Sequence, residues 1–449
     1  MLTESLLETT SQYLSRRNLT GLAALLAPVH PGDLAELLRR LPESDRVTAL
    51  LLLPDEQAAL VLESLDPDER AALSQALADE QLLALLNEMA SDEVTDLIGE
   101  LPKDRAQRLL RLMRKEDATA VERLLAYPEG TAGALMTTDV ATIGPHLTVA
   151  DAIRAVRERG QEAELLYYVY VTELARLVGV VTLRELIAAR SDRLIGDMMH
   201  TRLVTVAPLD DQEAVATLAR KYSLLAVPVV DEPGHLLGAV TSDDLVSVVE
   251  AEGTEDVLGL TGAVGGAQLR ARTFPWEMLA KRSGFLVINL FLDILAVLVI
   301  SRFTNTLEAT LALAFFIPAL MASAGNVGAQ SLALAVRGLA TGRFGRKAWR
   351  QVGREGSTGA LVGAVCGLVV GVFAALWQQS LALGAVVGGA MWGALVIAAP
   401  LGMAIPLTMD RLGVDPAITS GPLITTIADI FALILYFVLA IQLLKALGP

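Results

Sequence analysis

Residues 418–444 read ITSGPLITTIADIFALILYFVLAIQLL, an apolar run that is long enough to cross a bilayer. Its one ionisable residue is Asp429, near the middle of the run. A carboxylate at that depth costs at least about 2.5 kcal/mol on insertion scales, and it is kept where it faces a water-filled path or a cation. A protonated carboxyl, or one hydrogen-bonded to a neighbouring helix, is the alternative. We favour the first interpretation, which predicts that Asp429 lies on an ion path.

Four further apolar runs precede this one, and together they predict an α-helical membrane region with five spans. The four lie at roughly 283–301, 309–336, 356–378 and 382–408. Basic residues crowd the link between the second and third runs: Arg337, Arg343, Arg346, Lys347, Arg350 and Arg354. The positive-inside rule places this link in the cytoplasm. We therefore predict a multi-pass protein of the plasma (inner) membrane, with the N-terminus in the cytoplasm and the C-terminus outside.

Charge divides the chain near residue 270 into an acidic half and a membrane half. Before residue 271 there are 44 acidic and 24 basic residues, a net charge of −20; from residue 271 on there are 7 and 12, a net charge of +5. The single cysteine, Cys366, lies in an apolar run, which excludes a disulfide framework and fits a reducing compartment. The first residues carry no basic segment, so no signal peptide is predicted, and the acidic half is expected to stay in the cytosol.

Residues 40–125 contain seven similar segments of about a dozen residues. They read LPESDRVTALL, LPDEQAALVLESL, LDPDERAALSQAL, ADEQLLALLNEM, SDEVTDLIGEL, LPKDRAQRLLRLM and KEDATAVERLL. Pro, Ser or Asp stands near the start of each segment, where a helix begins, and apolar residues follow at helical spacing. Short helices that cannot bury a face alone stack on one another. The sequence therefore predicts an all-α superhelical domain that makes contacts.

Residues 137–252 hold a second repeat, with an offset of 59 residues. LVGVVTLRELIAA at 177–189 matches LLGAVTSDDLVSVV at 236–249, with Gly179 aligned to Gly238 and Thr182 aligned to Thr241. The order helix, strand, Gly-containing turn, strand, helix resembles a tandem cystathionine-β-synthase (CBS) pair. The resemblance implies an α/β regulatory module, in which an adenine nucleotide such as ATP can lie between the repeats.

No motif of an enzyme stands in either half, and no nucleic-acid partner is predicted. There is no phosphate-binding GxxxxGK[ST] loop to drive a pump. The four histidines, at positions 30, 146, 200 and 235, are too far apart in sequence to form a zinc motif. Oxygen donors are abundant, which favours Mg²⁺ or another hard cation.

Acidic residues cluster where the two halves meet, in SDDLVSVVEAEGTEDVLGL at 242–260. Apolar residues at helical spacing predict that this segment continues from the second CBS repeat as a helix. Like charges on one helix repel by a few tenths of a kcal/mol per pair, and a divalent cation would relieve that repulsion. A solvated helical face is the alternative reading of the same charges.

Two polar motifs interrupt the membrane half. In the second span, Pro318 precedes SAGNVGAQS at 323–331. Small residues allow close helix packing, and the amides offer oxygens to a hydrated ion or to a facing helix. Before the fifth span, Asp415 precedes Asp429 by 14 residues, roughly 21 Å along a helix, which predicts one carboxylate at the cytoplasmic mouth and one near mid-membrane. A third membrane acid, Asp293 in the first span, has no explanation in the sequence.

The acidic helical repeats, the CBS pair, the acidic helix and spans carrying P-x₆-GNxGxQ and DPAxxSxPxxTxxxD together resemble the MgtE family of magnesium channels. The resemblance covers essentially the whole chain. It implies a homodimer with the pore on the two-fold axis, lined by the second and fifth spans. Asp429 would then hold a hydrated Mg²⁺, with Asp415 near the cytoplasmic end. Asn326, Gly325, Gly328 and Gln330 would line the pore.

The resemblance also implies that Mg²⁺ closes the channel by binding cytosolic acids. These map onto Asp92, Asp96, Asp211, Glu213, Asp244, Glu252, Glu255 and Asp256. Ser223 and Ser247 stand where Asp is expected, which predicts weaker sensing, and Asp293 departs from an apolar first span. The predicted domains are 1–130 (helical), 131–248 (CBS pair), 249–276 (connecting helix and linker) and 277–449 (membrane). A channel for Co²⁺, Ni²⁺ or Mn²⁺ and a membrane scaffold without a pore are the alternatives.

Overall fold

The computed structural model describes residues 2–159, 165–260, 275–340, 344, 348–412 and 421–447. The chain divides into two compact units, Met1–Val249 and Glu250–Pro449. Each unit is described separately below. The finer division into four domains remains a prediction.

The first unit begins with helices only. They are α1 (Leu2–Ser15), α2 (Leu19–Leu26), α3 (Pro31–Arg40), α4 (Glu43–Leu50), α5 (Asp55–Glu63), α6 (Pro67–Ala76), α7 (Asp79–Leu86), α8 (Ser91–Glu100), α9 (Lys103–Leu112), α10 (Lys115–Leu124) and α11 (Ala132–Leu135). Helices α4 to α10 are the seven repeated segments of the sequence, each starting where a turn-forming or acidic residue was noted. The all-α prediction for this region is confirmed.

Alternate helices stack on one another in two rows. One row is α3, α5, α7 and α9, and the other is α4, α6, α8 and α10. Buried leucines such as Leu37, Leu62, Leu82 and Leu97 form one continuous core along the stack. Because each helix has eight to ten residues, its apolar stripe is too small to fold alone, and neighbours supply the missing contacts.

The CBS region contains one three-stranded and one two-stranded sheet. Its elements are β1 (Val140–Ile143), α12 (Val149–Arg159), β2 (Leu165–Glu173), β3 (Arg176–Thr182), α13 (Leu183–Ala188), α14 (Gln212–Tyr222), β4 (Ala226–Val230), β5 (Leu236–Thr241) and α15 (Ser242–Leu260). Strand β2 lies between β1, which is parallel to it, and β3, which is antiparallel. Strands β4 and β5 repeat the β2–β3 hairpin, and an isolated parallel bridge from Val206 to Val229 stands where β1 would pair.

The aligned threonines of the two repeats both donate a hydrogen bond to a carboxylate three residues further along the chain. Thr182 accepts a hydrogen bond from the Glu185 backbone N–H at 3.2 Å and donates to the Glu185 carboxylate at 2.7 Å. Thr241 donates to the Asp244 carboxylate at 2.7 Å. Both pairs lie where a strand becomes a helix and satisfy polar groups at the helix start. The predicted offset of 59 residues therefore has a structural basis.

The second unit is helical throughout its described parts. Its helices are α16 (Pro275–Arg302), α17 (Thr304–Ala309), α18 (Ile317–Ala340), α19 (Ala348–Trp377), α20 (Leu381–Arg411) and α21 (Gly421–Leu447), with a 3₁₀ turn at Leu311–Phe316. Four segments are long and apolar enough to cross a membrane: Leu311–Leu339, Ala348–Trp377, Leu381–Arg411 and Leu423–Gln442. The first predicted span falls in α16, whose leading side chains lie outside the described residues, so the count of five remains a prediction.

Small residues bring these helices close together. Four glycines on α19, Gly359, Gly363, Gly367 and Gly371, are buried at four-residue intervals against α20. A Cβ at Gly359 would lie 2.5 Å from the carbonyl oxygen of Leu395, so no side chain fits there. Close backbone approach of this kind holds membrane helices together, since lipid tails give no hydrophobic drive for their association.

Candidate functional site

Helices α18 and α21 pack against each other through the first membrane motif. At Gly325 a Cβ would lie 3.3 Å from Thr425 Cβ and 3.7 Å from Asp429 Oδ1. At Gly328 it would lie 3.4 Å from Ile424 Cγ2. Because Gly325 and Gly328 have no side chains, the backbone of α18 lies directly beside the Asp429 carboxylate of α21.

The Asp429 carboxylate is held in an environment short of donors. Its Oδ1 atom is buried and has no hydrogen-bond partner within the described residues. A buried acceptor without a donor costs roughly 1–3 kcal/mol, more when charged. Such a residue is better explained by a ligand than by packing.

The amide side chains of the same motif, Asn326 and Gln330, lie on an exposed face of α18. They are four residues apart, which places them on the same side of the helix. A primary amide facing lipid leaves its donors and acceptors unsatisfied. This face is therefore suited to a water-filled path or to a second chain.

The remaining predicted pore residue, Asp415, lies outside the described residues. Across the described parts of the chain, no three His, Cys, Asp or Glu side chains are grouped so that they could hold a metal. Within the described residues, a metal site would therefore contain at most two of these side chains.

A second polar cluster lies in the first unit, around Arg70 of α6. The residue is only 6% exposed. It contacts Glu100 at 2.7 Å, Glu93 at 3.1 Å and Asp96 at 3.8 Å, all on α8. Arg70 thus already supplies one positive charge to the acids around it, including Asp96, a predicted sensing residue.

Acidic side chains of the CBS region lie close to this cluster. Burial raises the pKa of Glu93 to about 8, Arg70 opposes that rise, and the Glu63 and Asp244 charges add to it. Burial likewise raises the pKa of Asp244 to about 6, with the nearby charges of Asp243 and Asp96 adding to the shift. The structure therefore brings Asp96 and Asp244, predicted from different domains, into one negatively charged group.

The other predicted sensing residues are placed separately. Asp92 is buried near the start of α8. Asp211 precedes α14 and accepts a hydrogen bond from the backbone N–H of Glu213 at 2.9 Å, which is ordinary helix capping. Glu252 and Glu255 lie on α15, and the side chain of Asp256 is outside the described residues. The structure thus shows Asp211 and Glu213 next to each other, but does not group them with the acids around Arg70.

The two serines that replace expected aspartates differ in setting. Ser223 ends α14 in the left-handed conformation, with a φ of 54°, a position where small polar residues are tolerated. Ser247 is exposed on α15. Neither serine can supply the carboxylate that the resemblance implies.

A cavity of about 580 Å³ opens beside the first CBS repeat. It is lined by Tyr167, Tyr168, Thr182, Leu183, Arg184, Ile187, Ala188 and Leu225. Aromatic and aliphatic side chains suit a nucleobase, and the one basic side chain suits a phosphate. This is the described site that fits a nucleotide best.

Two groups of interacting polar side chains were not identified from the sequence. One is Arg70 with its three acids. The other joins Glu355 of α19 to Ser331 of α18, whose hydroxyl donates to the carboxylate at 3.1 Å. Glu355 could have been noticed as an acid at the edge of an apolar run, but its partner lies 24 residues away on another helix.

The chain matches three protein families in succession. Residues 29–130 match the MgtE intracellular N domain, residues 132–192 and 195–251 match the CBS domain, and residues 317–439 match the MgtE family described as a divalent cation transporter.

Curated relatives match most of the length. The chain is 39% identical over 325 residues to the magnesium transporter MgtE of Enterococcus faecalis, covering 71% of this chain and 70% of that one. It is 37% identical over 323 residues to the magnesium transporter MgtE of Bacillus subtilis, covering 72% and 71%. It is also 37% identical to the magnesium transporter MgtE of Thermus thermophilus, with 71% of each chain covered.

Two crystal structures resemble the first part of the chain. The soluble part of a magnesium transporter superposes with a TM-score of 0.52 and 32% identity, covering 56% of this chain and 99% of that one. The cytosolic domain of the Mg²⁺ channel MgtE in complex with ATP gives 0.52 and 34%, covering 54% and 99%.

Proposed function

Because the chain belongs to the MgtE family, a family of membrane transporters and not of enzymes, we propose that it is a homodimeric, Mg²⁺-gated Mg²⁺ channel. Its pore lies on the two-fold axis and is lined by α18 and α21. Mg²⁺ enters the cytoplasm down its electrochemical gradient. The observation that carries the proposal is Asp429, whose buried Oδ1 has no hydrogen-bond partner in the described structure and adjoins Gly325.

The chemistry of Mg²⁺ fits a sparse site. Mg²⁺ demands octahedral geometry, loses water reluctantly and is often bound through one or two carboxylates. One Asp429 from each subunit can hold the ion through its water shell, with the Asn326 and Gln330 faces toward the path and Asp415 at the cytoplasmic end. The membrane potential drives entry by roughly 2.3 kcal/mol per charge per 100 mV.

Gating follows from charge. The half before residue 271 has a net charge of −20, and its acids repel one another when Mg²⁺ is scarce. When Mg²⁺ is plentiful, it bridges Asp92, Asp96, Asp211, Glu213, Asp244, Glu252, Glu255 and Asp256 and stabilises a closed state. The ion must bind the closed state more tightly than the open one. The charge group that contains Asp96 and Asp244 supports this scheme.

The test is ion flux through purified full-length protein in vesicles, followed with a Mg²⁺-sensitive dye. We expect flux that falls as Mg²⁺ rises on the cytosolic side. Replacing Glu252, Glu255 and Asp256 by Gln, Gln and Asn should leave flux high at all cytosolic Mg²⁺ concentrations. Absence of flux in the unmodified protein would contradict the channel assignment. If the triple variant still closes at high cytosolic Mg²⁺, these three residues are not the Mg²⁺ sensor. Competition by Co²⁺, Ni²⁺ and Mn²⁺ in the same assay identifies the preferred ion.

We further propose that the cavity beside the first CBS repeat binds ATP, as the cytosolic domain of one structural relative does. Arg184 is the basic side chain available there for phosphate. Titration of the protein with ATP should show saturable binding that weakens at least about tenfold in Arg184→Ala, the loss of a charge-assisted hydrogen bond. Arg190→Ala is the control, because Arg190 is 84% exposed and pairs with Asp192. Equal binding by both variants contradicts the site.

A further inference from the structure

Helix α16 carries two polar residues beside α21, of which Asn289 is buried and Asp293 is exposed. Most of the described helix is exposed and apolar, with Ile288, Leu290 and Phe291 more than half exposed. Asn289 is 8% exposed, and Asp293 follows it by one turn. Helix α21, which carries Asp429, packs against α16. Asn289 and Asp293 therefore lie on the side of α16 that adjoins the candidate ion path.

Asp293 makes a direct contact with α21. The Thr426 hydroxyl donates to Asp293 Oδ1 at 3.3 Å, and Thr426 is itself buried. Thr426 precedes Asp429 by three residues, so the two lie on neighbouring positions of one helix face. Through Thr426, Asp293 therefore contacts the helical turn of α21 that carries Asp429.

Two side-chain oxygens in this region lack hydrogen-bond donors among the described residues. Asn289 Oδ1 and Asp429 Oδ1 are both buried without a hydrogen-bond partner in the part of the chain that the structure describes. One proton shared between the Asp293 and Asp429 carboxylates could satisfy only one of these atoms. A hydrated divalent cation offers several water O–H donors and a charge of +2, which equals the charge of the two carboxylates.

We propose that in each subunit Asp293 and Asn289 of α16 join Asp429 of α21 in holding the divalent cation of the ion path through its water. This rests on the proposed function, since it takes Asp429 to be on the ion path. Asp293 strengthens ion capture at mid-membrane, and Thr426 positions its carboxylate. The acid that interrupts the first apolar run thus has a role in transport.

The test compares Asp293→Asn with Asp293→Glu and Glu308→Gln in full-length protein. Glu308 is an exposed acid of the same unit and serves as the control. In vesicle flux, Asp293→Asn should raise the half-saturating Mg²⁺ concentration about 10- to 100-fold, the usual effect of losing a group that orients a metal's bound water. Asp293→Glu keeps the charge and should shift it much less. Binding of Mn²⁺, counted by its electron paramagnetic resonance signal, should lose one tight site per dimer in Asp293→Asn.

The outcomes separate this inference from the channel assignment. If the unmodified protein conducts, Asp429→Asn does not, and Asp293→Asn keeps both its half-saturation and its Mn²⁺ count, then the inference is wrong and the channel stands. A change in the pH dependence of flux, without a change in ion affinity, overturns it in favour of a proton shared by the two acids. If Asp293→Asn does not fold, Asn289→Ala is measured instead: a several-fold rise in half-saturation supports the site, and an unchanged value overturns it.

Discussion

Asp429→Ala is expected to reduce Mg²⁺ flux by at least about 100-fold, close to that of vesicles without protein. Removal of the carboxylate leaves the ion at mid-membrane without its main counter-charge, where the insertion cost of charge is several kcal/mol. A 100-fold loss corresponds to only about 2.7 kcal/mol, because each 1.36 kcal/mol changes a rate tenfold. The expected effect is thus within what one carboxylate can supply. The measurement is the initial rate of dye response at fixed external Mg²⁺.

Two further variants make this result specific to Asp429. Asp410→Ala removes an exposed acid at the end of α20 and should leave flux within about twofold of the unmodified protein. Gly325→Ala leaves the carboxylate in place but puts a Cβ 3.3 Å from Thr425 Cβ and 3.7 Å from Asp429 Oδ1, so an intermediate loss is expected. Persistent flux with unchanged ion selectivity in Asp429→Ala contradicts the pore assignment, whatever the other two variants do.

The features that the sequence predicted are those fixed by neighbours along the chain. The seven acidic segments form helices because capping residues and apolar spacing act within a dozen residues. The aligned threonines at 182 and 241 occur in the same strand-to-helix position because each binds an acid three residues on. The apolar runs form long helices because a membrane leaves no other way to pair the backbone.

The features that could not be predicted depend on contacts between distant residues. Asp293 looked like an unexplained acid, and its neighbour Thr426 is 133 positions away. Arg70 gave no signal, because one Arg in an acidic helix is ordinary, and its partners come from a helix two places along the stack. The stacking of alternate helices, which creates that pairing, follows from three-dimensional packing and not from the repeat alone.

Arg70→Met is expected to destabilise the helical domain by about 3 kcal/mol at pH 8. The side chains of Arg70 and Glu100 are 7% and 9% exposed, respectively. The substitution therefore leaves the buried Glu100 carboxylate without its counter-charge. Breaking a buried ion pair from one side costs roughly 3–5 kcal/mol, and the partial exposure of Glu93 argues for the lower end. Urea denaturation of the separately expressed cytosolic half, the portion that crystallises alone in a relative, measures the loss.

Arg39→Met is the matched control. Arg39 also pairs with two acids, Asp66 at 3.1 Å and Glu69 at 2.8 Å, on the same helical stack. Its side chain is 37% exposed, and ion pairs in contact with solvent contribute only about 0–1 kcal/mol. The two variants make the same chemical change and differ in burial. Equal losses would show that the cluster around Arg70 is no more than a surface ion pair.

The stability loss caused by Arg70→Met should depend on pH through Glu93. The folded protein holds the Glu93 proton more tightly than the unfolded chain does, because burial raises the pKa of Glu93 from its ordinary value of 4.5 to about 8. The stability from this group is therefore fully present below pH 4.5 and is lost as the pH rises through 8. Arg70 holds that pKa down, so Arg70→Met raises it further. The part of the deficit that comes from Glu93 is therefore absent at pH 5 and opens as the pH rises through 8.

Mg²⁺ should act on the variant in the direction opposite to rising pH. A divalent cation beside Glu93, Glu100 and Asp96 would replace the lost guanidinium, and binding to the folded state alone stabilises it in proportion to the logarithm of concentration. At pH 8 we expect millimolar Mg²⁺ to restore more stability to Arg70→Met than it adds to the unmodified domain. At pH 5, where Glu93 is protonated in the folded protein, the difference should be smaller. If the stability loss of Arg70→Met changes with neither pH nor Mg²⁺, Arg70 acts through packing and not through charge.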